Sequence, residues 1–219
     1  LPENVKVKDL SQGEQAEYLF YVGCTGSFDP RIQEITKSLV VILQHAGVDF
    51  GILGNEEQCC GNEVRRMGET GLFEELVESN VKTFDSHKVK RILTLCPHGF
   101  NALQNEYPQE KYEVLHATQL LAKRLEEGKF SFKGEIKKVV TYHDPCFLGK
   151  QNNVFDGPRV LLTAIPGLTF KELDRSRERS LCCEGGGGRM WYESSSETGE
   201  RLADIRVKDA VELGAEILT

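Results

Sequence analysis

No apolar run in the chain approaches the roughly 18 residues that span a bilayer, so no stretch reads as a membrane segment. No block of lysine and arginine stands out either. Acidic residues outnumber basic ones, 34 to 27, for a net charge of −7, which makes nucleic acid a poor candidate for the main partner. The pattern Gly-x-x-x-x-Gly-Lys-Ser/Thr is absent, and no Gly-x-Gly-x-x-Gly stands between a first strand and its helix. The two common phosphate-binding loops are therefore missing. There is no Cys-x-x-Cys, so the paired knuckles of a structural zinc site are missing too. The opening Leu1-Pro2-Glu3-Asn4 is polar and charged and does not read as a signal peptide.

What remains is 219 residues, 39% hydrophobic and 28% charged, enough for one large domain or two small ones with an adequate core. The seven cysteines are Cys24, Cys59, Cys60, Cys96, Cys146, Cys182 and Cys183. An odd number, two adjacent pairs and this length argue against a disulfide framework and for reduced thiols in a cytoplasmic setting. Clustered reduced thiols point to metal. Cys182 and Cys183 are followed by Glu184 and the glycines Gly185, Gly186, Gly187 and Gly188. Adjacent cysteines are poor disulfide partners, and a glycine run suits backbone that turns sharply or approaches something closely. The stretch reads as a cradle of sulfurs and bare amides for an anionic group, or as a flexible loop after two buried thiols.

Residues 1–16 are polar and read as an arm or linker. Tyr18–Val22 is a short apolar strand entering a glycine turn at Gly23-Cys24-Thr25-Gly26. Asp29-Pro30 supplies a helix cap and a first-turn proline, Ile32, Ile35, Leu39, Ile42 and Ala46 follow at helical spacing, and Gly47 closes the helix. Val48–Leu53 is the next strand and leads to Cys59-Cys60-Gly61. Leu72, Phe73, Leu76, Val77, Val81 and Phe84 mark a second helix, Lys90–Leu95 a strand delivering Cys96, Tyr112–Leu115 a short strand, and Leu120, Leu121 and Leu125 a helix stopped near Gly128. Strands alternating with helices imply an α/β fold with parallel sheet, whose ligands gather at the carboxyl ends of the strands.

From Gly134 the pattern starts again. Lys138–Tyr142 is a strand leading to His143-Asp144-Pro145-Cys146, and Phe155-Asp-Gly-Pro-Arg159 repeats Phe28-Asp-Pro-Arg31 with one insertion. Arg189-Met190 follows Cys182 as Arg66-Met67 follows Cys59, and Ile217-Leu218-Thr219 repeats Ile92-Leu93-Thr94. Cys146 stands 122 residues after Cys24. Matches in one order at a near-constant offset predict an α/β fold of two Rossmann-like parallel-sheet halves related by an internal repeat, residues 17–133 and 134–219. The same offset places the counterpart of Cys96 at about position 221, so the sequence reads as a fragment that stops before a ligand.

Four thiolates converging from separate loops suit an iron–sulfur cluster or zinc. Adjacent cysteines strain a single tetrahedral ion but reach different irons of a cluster, which favours iron–sulfur; buried inert thiols are the third reading. Cys24, Cys59-Cys60-Gly61 and Cys96-Pro97-His98, with the second round Cys146 and Cys182-Cys183, resemble the cysteine-rich CCG domain. That domain occurs in the B and D subunits of heterodisulfide reductase, the C subunit of anaerobic glycerol-3-phosphate dehydrogenase and lactate-utilisation iron–sulfur proteins. The likeness is to heterodisulfide reductase D-like oxidoreductases, on Tyr142-His-Asp-Pro-Cys-Phe-Leu-Gly-Lys150, Cys182-Cys-Glu-Gly-Gly-Gly-Gly-Arg-Met-Trp191 and Cys96-Pro-His-Gly-Phe-Asn-Ala-Leu-Gln-Asn-Glu-Tyr107.

The resemblance implies a 4Fe–4S cluster, cubane or non-cubane, held by Cys24, Cys59, Cys60 and Cys96 in one half and by Cys146, Cys182 and Cys183 in the other. It implies disulfide reduction at Cys182 and Cys183, or electron relay to a flavoprotein or quinone. The partners would be a ferredoxin-like segment, a flavoprotein and a membrane quinone-reactive subunit, with this segment cytoplasmic, at the face of a membrane complex. Two departures stand out: Gly99 takes the place of a fifth cysteine, and Glu184 replaces the glycine of the motif. The rival reading is a metal-binding structural or docking module without redox turnover.

Around the cysteines, Gly185, Gly186 and Gly187 are candidates for amide contacts to a cluster. His98 and His143 could hydrogen-bond a thiolate or carry a proton; the plainer alternative is a loop histidine bonded to a backbone carbonyl. Lys150 and Arg189 could offset cluster charge or lie on the surface, and Trp191 reads as core packing or a lid on the glycine loop. Asp144 reads as a turn cap before Pro145.

Overall fold

Lys8–Asp9, expected within an arm or linker, instead form the first strand (β1) of a parallel sheet, with Lys8 opposite Gly51 and Asp9 opposite Ile52. Asp9 caps the helical turn that follows by accepting from the Ser11 amide at 3.0 Å. Val5 and Leu10 are buried, and these two apolar anchors hold an otherwise polar segment. The structure, a computed structural model, describes residues 5–189 and 199–219. The chain divides into two units, the first running to Phe130 and the second beginning at Ser131.

Tyr18–Tyr21 (β2) is buried at every position, as a strand covered on both faces must be. The expected glycine turn after it is a six-residue helix, Gly23–Phe28 (α1). Gly23 enters it at φ +78°, so the turn is confined to one residue and Cys24 already lies in the helix. Asp29 then caps Pro30–His45 (α2) by accepting from the amides of Arg31 and Ile32, the cap and first-turn proline read from the sequence. Phe50–Ile52 (β3) follows.

Beyond the Cys59-Cys60 loop come Asn62–Arg66 (α3), Thr70–Ser86 (α4), Arg91–Thr94 (β4), Pro97–Asn105 (α5), Glu113–His116 (β5) and Ala117–Glu126 (α6). Sheet order is β1-β3-β2-β4-β5, all parallel. Tyr21, Phe84 and Tyr107 pack together behind the cysteine loop, Phe84 edge-on to Tyr21 at 6.2 Å and stacked on Tyr107 at 6.3 Å.

In the second unit Val139–Thr141 (β6) is central, flanked in parallel by Thr169–Phe170 (β7) and Ile217–Leu218 (β8). Asp156–Thr163 (α7), Leu202–Glu212 (α8) and a 3-10 turn at Arg177–Arg179 complete its regular elements among the described residues. Two parallel α/β sheets thus carry the two halves of the repeat. Asp144 caps no turn. It is 2% exposed and holds Arg159 through two bonds of 2.7 and 2.8 Å while accepting from the Arg177 amide at 2.7 Å. A carboxylate this buried is stable only when paired, and the pairing arginine lies too far along the chain for local turn rules to reveal it.

Candidate metal centre

In the first sheet the chain leaves β2 toward β3 on one side and leaves β4 toward β5 on the other. The crevice between the carboxyl ends of β2 and β4 is therefore a topological switch point, where open parallel sheets bind ligands. Cys24 stands in the first turn of α1, directly after β2, and Cys96 is the N-cap of α5, directly after β4. A Cβ placed on Gly23 would lie 4.0 Å from the Cys96 Cβ, so the two segments meet. Cys59 and Cys60 arrive from the loop after β3.

Three of these sulfurs are close enough to act on one another. The thiols of Cys24 and Cys60 both hydrogen-bond Cys59, which also accepts from the Gly61 amide at 3.4 Å. Those donors hold the Cys59 thiol well below its usual range, and for the same reason Cys24 and Cys60 are pushed up. Burial raises Cys96, against the amides of His98 and Gly99 that favour its thiolate. The Asn62 amide does the same for Cys60. Four sulfurs from three loops, each met by a backbone N–H or another thiol, form a site that favours the thiolate at Cys59 and the thiol at its three neighbours.

The loop is held from beneath. Asn80 donates to the Cys59 carbonyl at 2.9 Å and to the Tyr107 hydroxyl at 3.0 Å, and Tyr107 donates to the Cys60 carbonyl at 3.2 Å. The Tyr21 hydroxyl donates to the Gln58 carbonyl. Glu57 accepts from the amides of Val22 and Gly23 at 3.0 and 2.7 Å, tying the cysteine loop to the end of β2. Burial pushes this carboxyl up to about 7 in spite of those amides. A cavity of about 510 Å³ opens beside Cys24 and Cys59, bordered by Glu57, Ser27 and Phe28. None of these supporting residues was singled out in the sequence. Asn80 left a trace, as a polar residue on the buried face of α4 between Phe73 and Phe84.

His98 bonds neither a thiolate nor a backbone carbonyl through Nδ1, which faces Oε1 of Glu63 at 2.9 Å. Gly99 is buried, and a Cβ there would meet the Cys96 Cβ at 3.7 Å and the Cys60 sulfur at 4.0 Å. Those are ordinary contacts, so position 99 has room for a Cβ beside the sulfurs.

In the second unit Cys146 lies in the turn after β6, and Cys182 and Cys183 lie on an exposed loop. Cys146 is raised by burial first and then by the two sulfurs nearby. The Glu184 amide donates to the Cys182 sulfur at 3.3 Å, matching Gly61 on Cys59. Glu184 takes the left-handed conformation of Gly61, at φ +60° against +80°, so the turn survives the loss of the motif's glycine. Its carboxylate faces Arg189 at 3.3 Å and Arg201 at 3.6 Å.

A Cβ on Gly185 would sit 3.3 Å from the Cys183 sulfur, Gly186 accepts from the Arg189 amide, and Gly187 is left-handed. Lys150 is exposed. His143 is bound through Nδ1 to Arg206 at 3.2 Å rather than to a carbonyl. Trp191 and Met190 lie outside the described residues.

The donor sets can be tested against a metal group. Among the described residues no three His, Cys, Asp or Glu side chains are placed to hold one metal ion, which weighs against mononuclear zinc. The first unit's four converging sulfurs, with amides directed at them, fit a multi-iron group. The second unit's three sulfurs, with the Glu184 amide on Cys182 and orphaned buried polar atoms at His143 Nε2 and Arg206 Nη1, fit an anionic one. No helix among the described residues is long and apolar enough to cross a membrane.

Residues 18–104 and 140–219 match the CCG cysteine-rich domain family. The chain is 43% identical over 216 residues to the probable iron-sulfur-binding oxidoreductase FadF of Bacillus subtilis (strain 168), covering 97% of this chain and 30% of that protein. It is 44% identical over 199 residues to the EtfAB:quinone oxidoreductase of Syntrophomonas wolfei subsp. wolfei, covering 90% and 28%. To the D subunit of the dihydromethanophenazine:CoB--CoM heterodisulfide reductase of Methanosarcina barkeri (strain Fusaro) it is 34% identical over 227 residues, covering 100% and 53%. The chain thus spans between about a quarter and a half of these relatives.

Proposed function

The chain belongs to the CCG cysteine-rich domain family, and from that premise we propose that it is the iron–sulfur electron-transfer module of a heterodisulfide reductase-like oxidoreductase. The observation that carries this reading is the meeting of Cys24, Cys59, Cys60 and Cys96 at the switch point of a parallel sheet. Cys24, Cys59, Cys60 and Cys96 would hold one 4Fe–4S group, and Cys146, Cys182 and Cys183 contribute to a second. Such a group accepts and donates single electrons. The chain's own part is to direct the amides of Gly61, Asn62, His98, Gly99 and Glu184 at the sulfurs and to anchor the first cysteine pair through Asn80, Tyr107 and Glu57. In the second unit Cys182 and Cys183 are the exposed sulfurs, which suits them to meet a disulfide-type substrate or an electron partner.

The relatives' names carry an EtfAB flavoprotein and a quinone in one case and a heterodisulfide in another. Electrons therefore pass between this module and a flavoprotein, a quinone-reactive subunit or a disulfide, on the cytoplasmic side and at the face of a membrane complex. Anaerobic iron and sulfide analysis with EPR on the full-length protein tests the proposal. About four irons per site and a redox-active signal, halved by Cys60→Ser and by Cys183→Ser, are expected. Stoichiometric zinc with no signal would overturn the reading in favour of a structural or docking module. Cys183→Ser abolishes turnover if the second site does disulfide chemistry and only slows it if that site is a relay.

A further inference from the structure

The second unit keeps two buried donors without an acceptor at the end of β6. Nδ1 of His143 accepts from Nε of Arg206 at 3.2 Å, which puts the ring's proton on Nε2. Nε2 is shut off from solvent and has no hydrogen-bond partner. Nη1 of Arg206 is in the same position, on a side chain only 3% exposed, with Asp209 Oδ2 no closer than 3.6 Å. Buried N–H groups are normally paired, and each exception calls for an explanation such as a missing ion.

The repeat supplies an internal control. Tyr21 stands 122 residues before His143, as Cys24 stands before Cys146, and the matching ends of α4 and α8, where the Val89 amide bonds the Phe84 carbonyl and the Ala215 amide the Ala210 carbonyl, make Asn80 the counterpart of Arg206. In the first unit the Tyr21 hydroxyl donates to the Gln58 carbonyl and the Asn80 amide to the Cys59 carbonyl at 2.9 Å. The second unit replaces these two carbonyl-bound donors with an imidazole and a guanidinium that each keep a buried N–H without an acceptor.

Arg206 also clasps the two cysteine-bearing segments. Its Nη2 donates to Ser180 Oγ at 3.0 Å, and Ser180 Oγ donates to the Asp144 carbonyl at 3.1 Å. Ser180 lies two residues before Cys182, and Asp144 two residues before Cys146. The imidazole is thus oriented by the same residue that holds those segments together.

We propose that His143 Nε2–H is a fixed hydrogen-bond donor to the anionic iron–sulfur group of Cys146, Cys182 and Cys183, and that Arg206 is the positioning residue that sets its tautomer. The inference rests on the reading of the second unit as a cluster site. Burial, and then the Arg206 guanidinium, push the imidazole down to about 4, so the ring is neutral at physiological pH. A donor aimed at cluster sulfur favours the more negative, reduced state and raises the potential.

The test is an EPR-monitored redox titration of the anaerobically purified full-length protein, in which the relevant signal is the one that Cys183→Ser abolishes. His143→Phe should keep its iron while its reduction equilibrium falls about tenfold, ~59 mV for one electron. Arg206→Leu should shift it in the same direction, and Arg206→Lys, which still donates to Nδ1, should recover most of the loss. An unchanged midpoint in iron-replete His143→Phe overturns the inference. If that variant loses iron, ENDOR on ¹⁵N-histidine-labelled protein in a Cys60→Ser background decides: a coupled histidine nitrogen supports the bond, and its absence overturns it. If no signal depends on Cys183, the cluster reading of the second unit has failed instead.

Discussion

Arg31 and Arg159 end the same short motif, Phe-Asp-Pro-Arg and Phe-Asp-Gly-Pro-Arg, yet their surroundings give them opposite weight. The Arg31 side chain is 89% exposed and reaches only Asp29 at 3.3 Å. Arg159 is 8% exposed and lies between Asp144 and Glu172, with its Nη1 also donating to the Phe155 carbonyl at 2.6 Å. An exposed ion pair contributes about 0–1 kcal/mol, whereas removing one partner of a buried pair costs roughly 3–5 kcal/mol, because it strands the other charge. Urea unfolding should therefore show Arg159→Met losing roughly 3–5 kcal/mol in the second unit, with Arg31→Ala close to wild type. Equal effects would mean that Asp144 is not held by Arg159 as described.

At the scale of the element, the two cysteine-pair turns pose one backbone problem with two residues. Gly61 is left-handed, and a Cβ there would stand 2.6 Å from Cδ2 of Phe73. Gly61→Ala combines the left-handed cost of roughly 1–2 kcal/mol with overpacking of roughly 1–3 kcal/mol. Glu184 already carries the left-handed cost. Glu184→Gly should leave the stability of the second unit within about 1 kcal/mol of wild type, since relief of strain is offset by a more flexible unfolded chain. Chemical denaturation of both variants checks the contrast, and a Gly61→Ala protein as stable as wild type would show the turn to be wrong. The turns' existence was legible, because adjacent cysteines before glycine leave few other uses for the backbone. So was the strand–helix alternation, which rests on apolar periodicity. The six-residue α1 and the two-residue β1 were not, since each spans fewer than two periods of the pattern that would reveal it. Nor were Asn80 and Arg206 read as supports. Arg206 stands four residues before buried Ala210, which places it on an inward helix face, but its partners Ser180 and His143 come from other loops.

For the whole molecule, the sequence repeat showed where the cysteines would gather, but not that each unit would keep a neutral histidine, buried at His116 and half-buried at His143. His116, at the end of β5, donates from Nε2 to the Leu95 carbonyl at 2.8 Å, and its Nδ1 accepts from the Thr118 amide at 3.4 Å to cap α6. Burial pushes it down to about 4; His143 is lowered to about 4 by burial and then by Arg206. An unfolded histidine titrates near 6.5. Between those values the unfolded chain binds a proton that the folded chain refuses, so unfolding becomes easier as pH falls. The contribution of each histidine is fully present above about 6.5 and is lost as pH drops through about 4, with an upper size of about 3 kcal/mol each. His116→Asn keeps a capping acceptor but cannot titrate in this range. The cluster-free variant should therefore lose stability less steeply than wild type between pH 6.5 and 4, the remaining slope in that window including the part set by His143. Equilibrium unfolding at a series of pH values reads this directly, and parallel acid limbs for the two proteins would show that His116 is not held neutral in the fold.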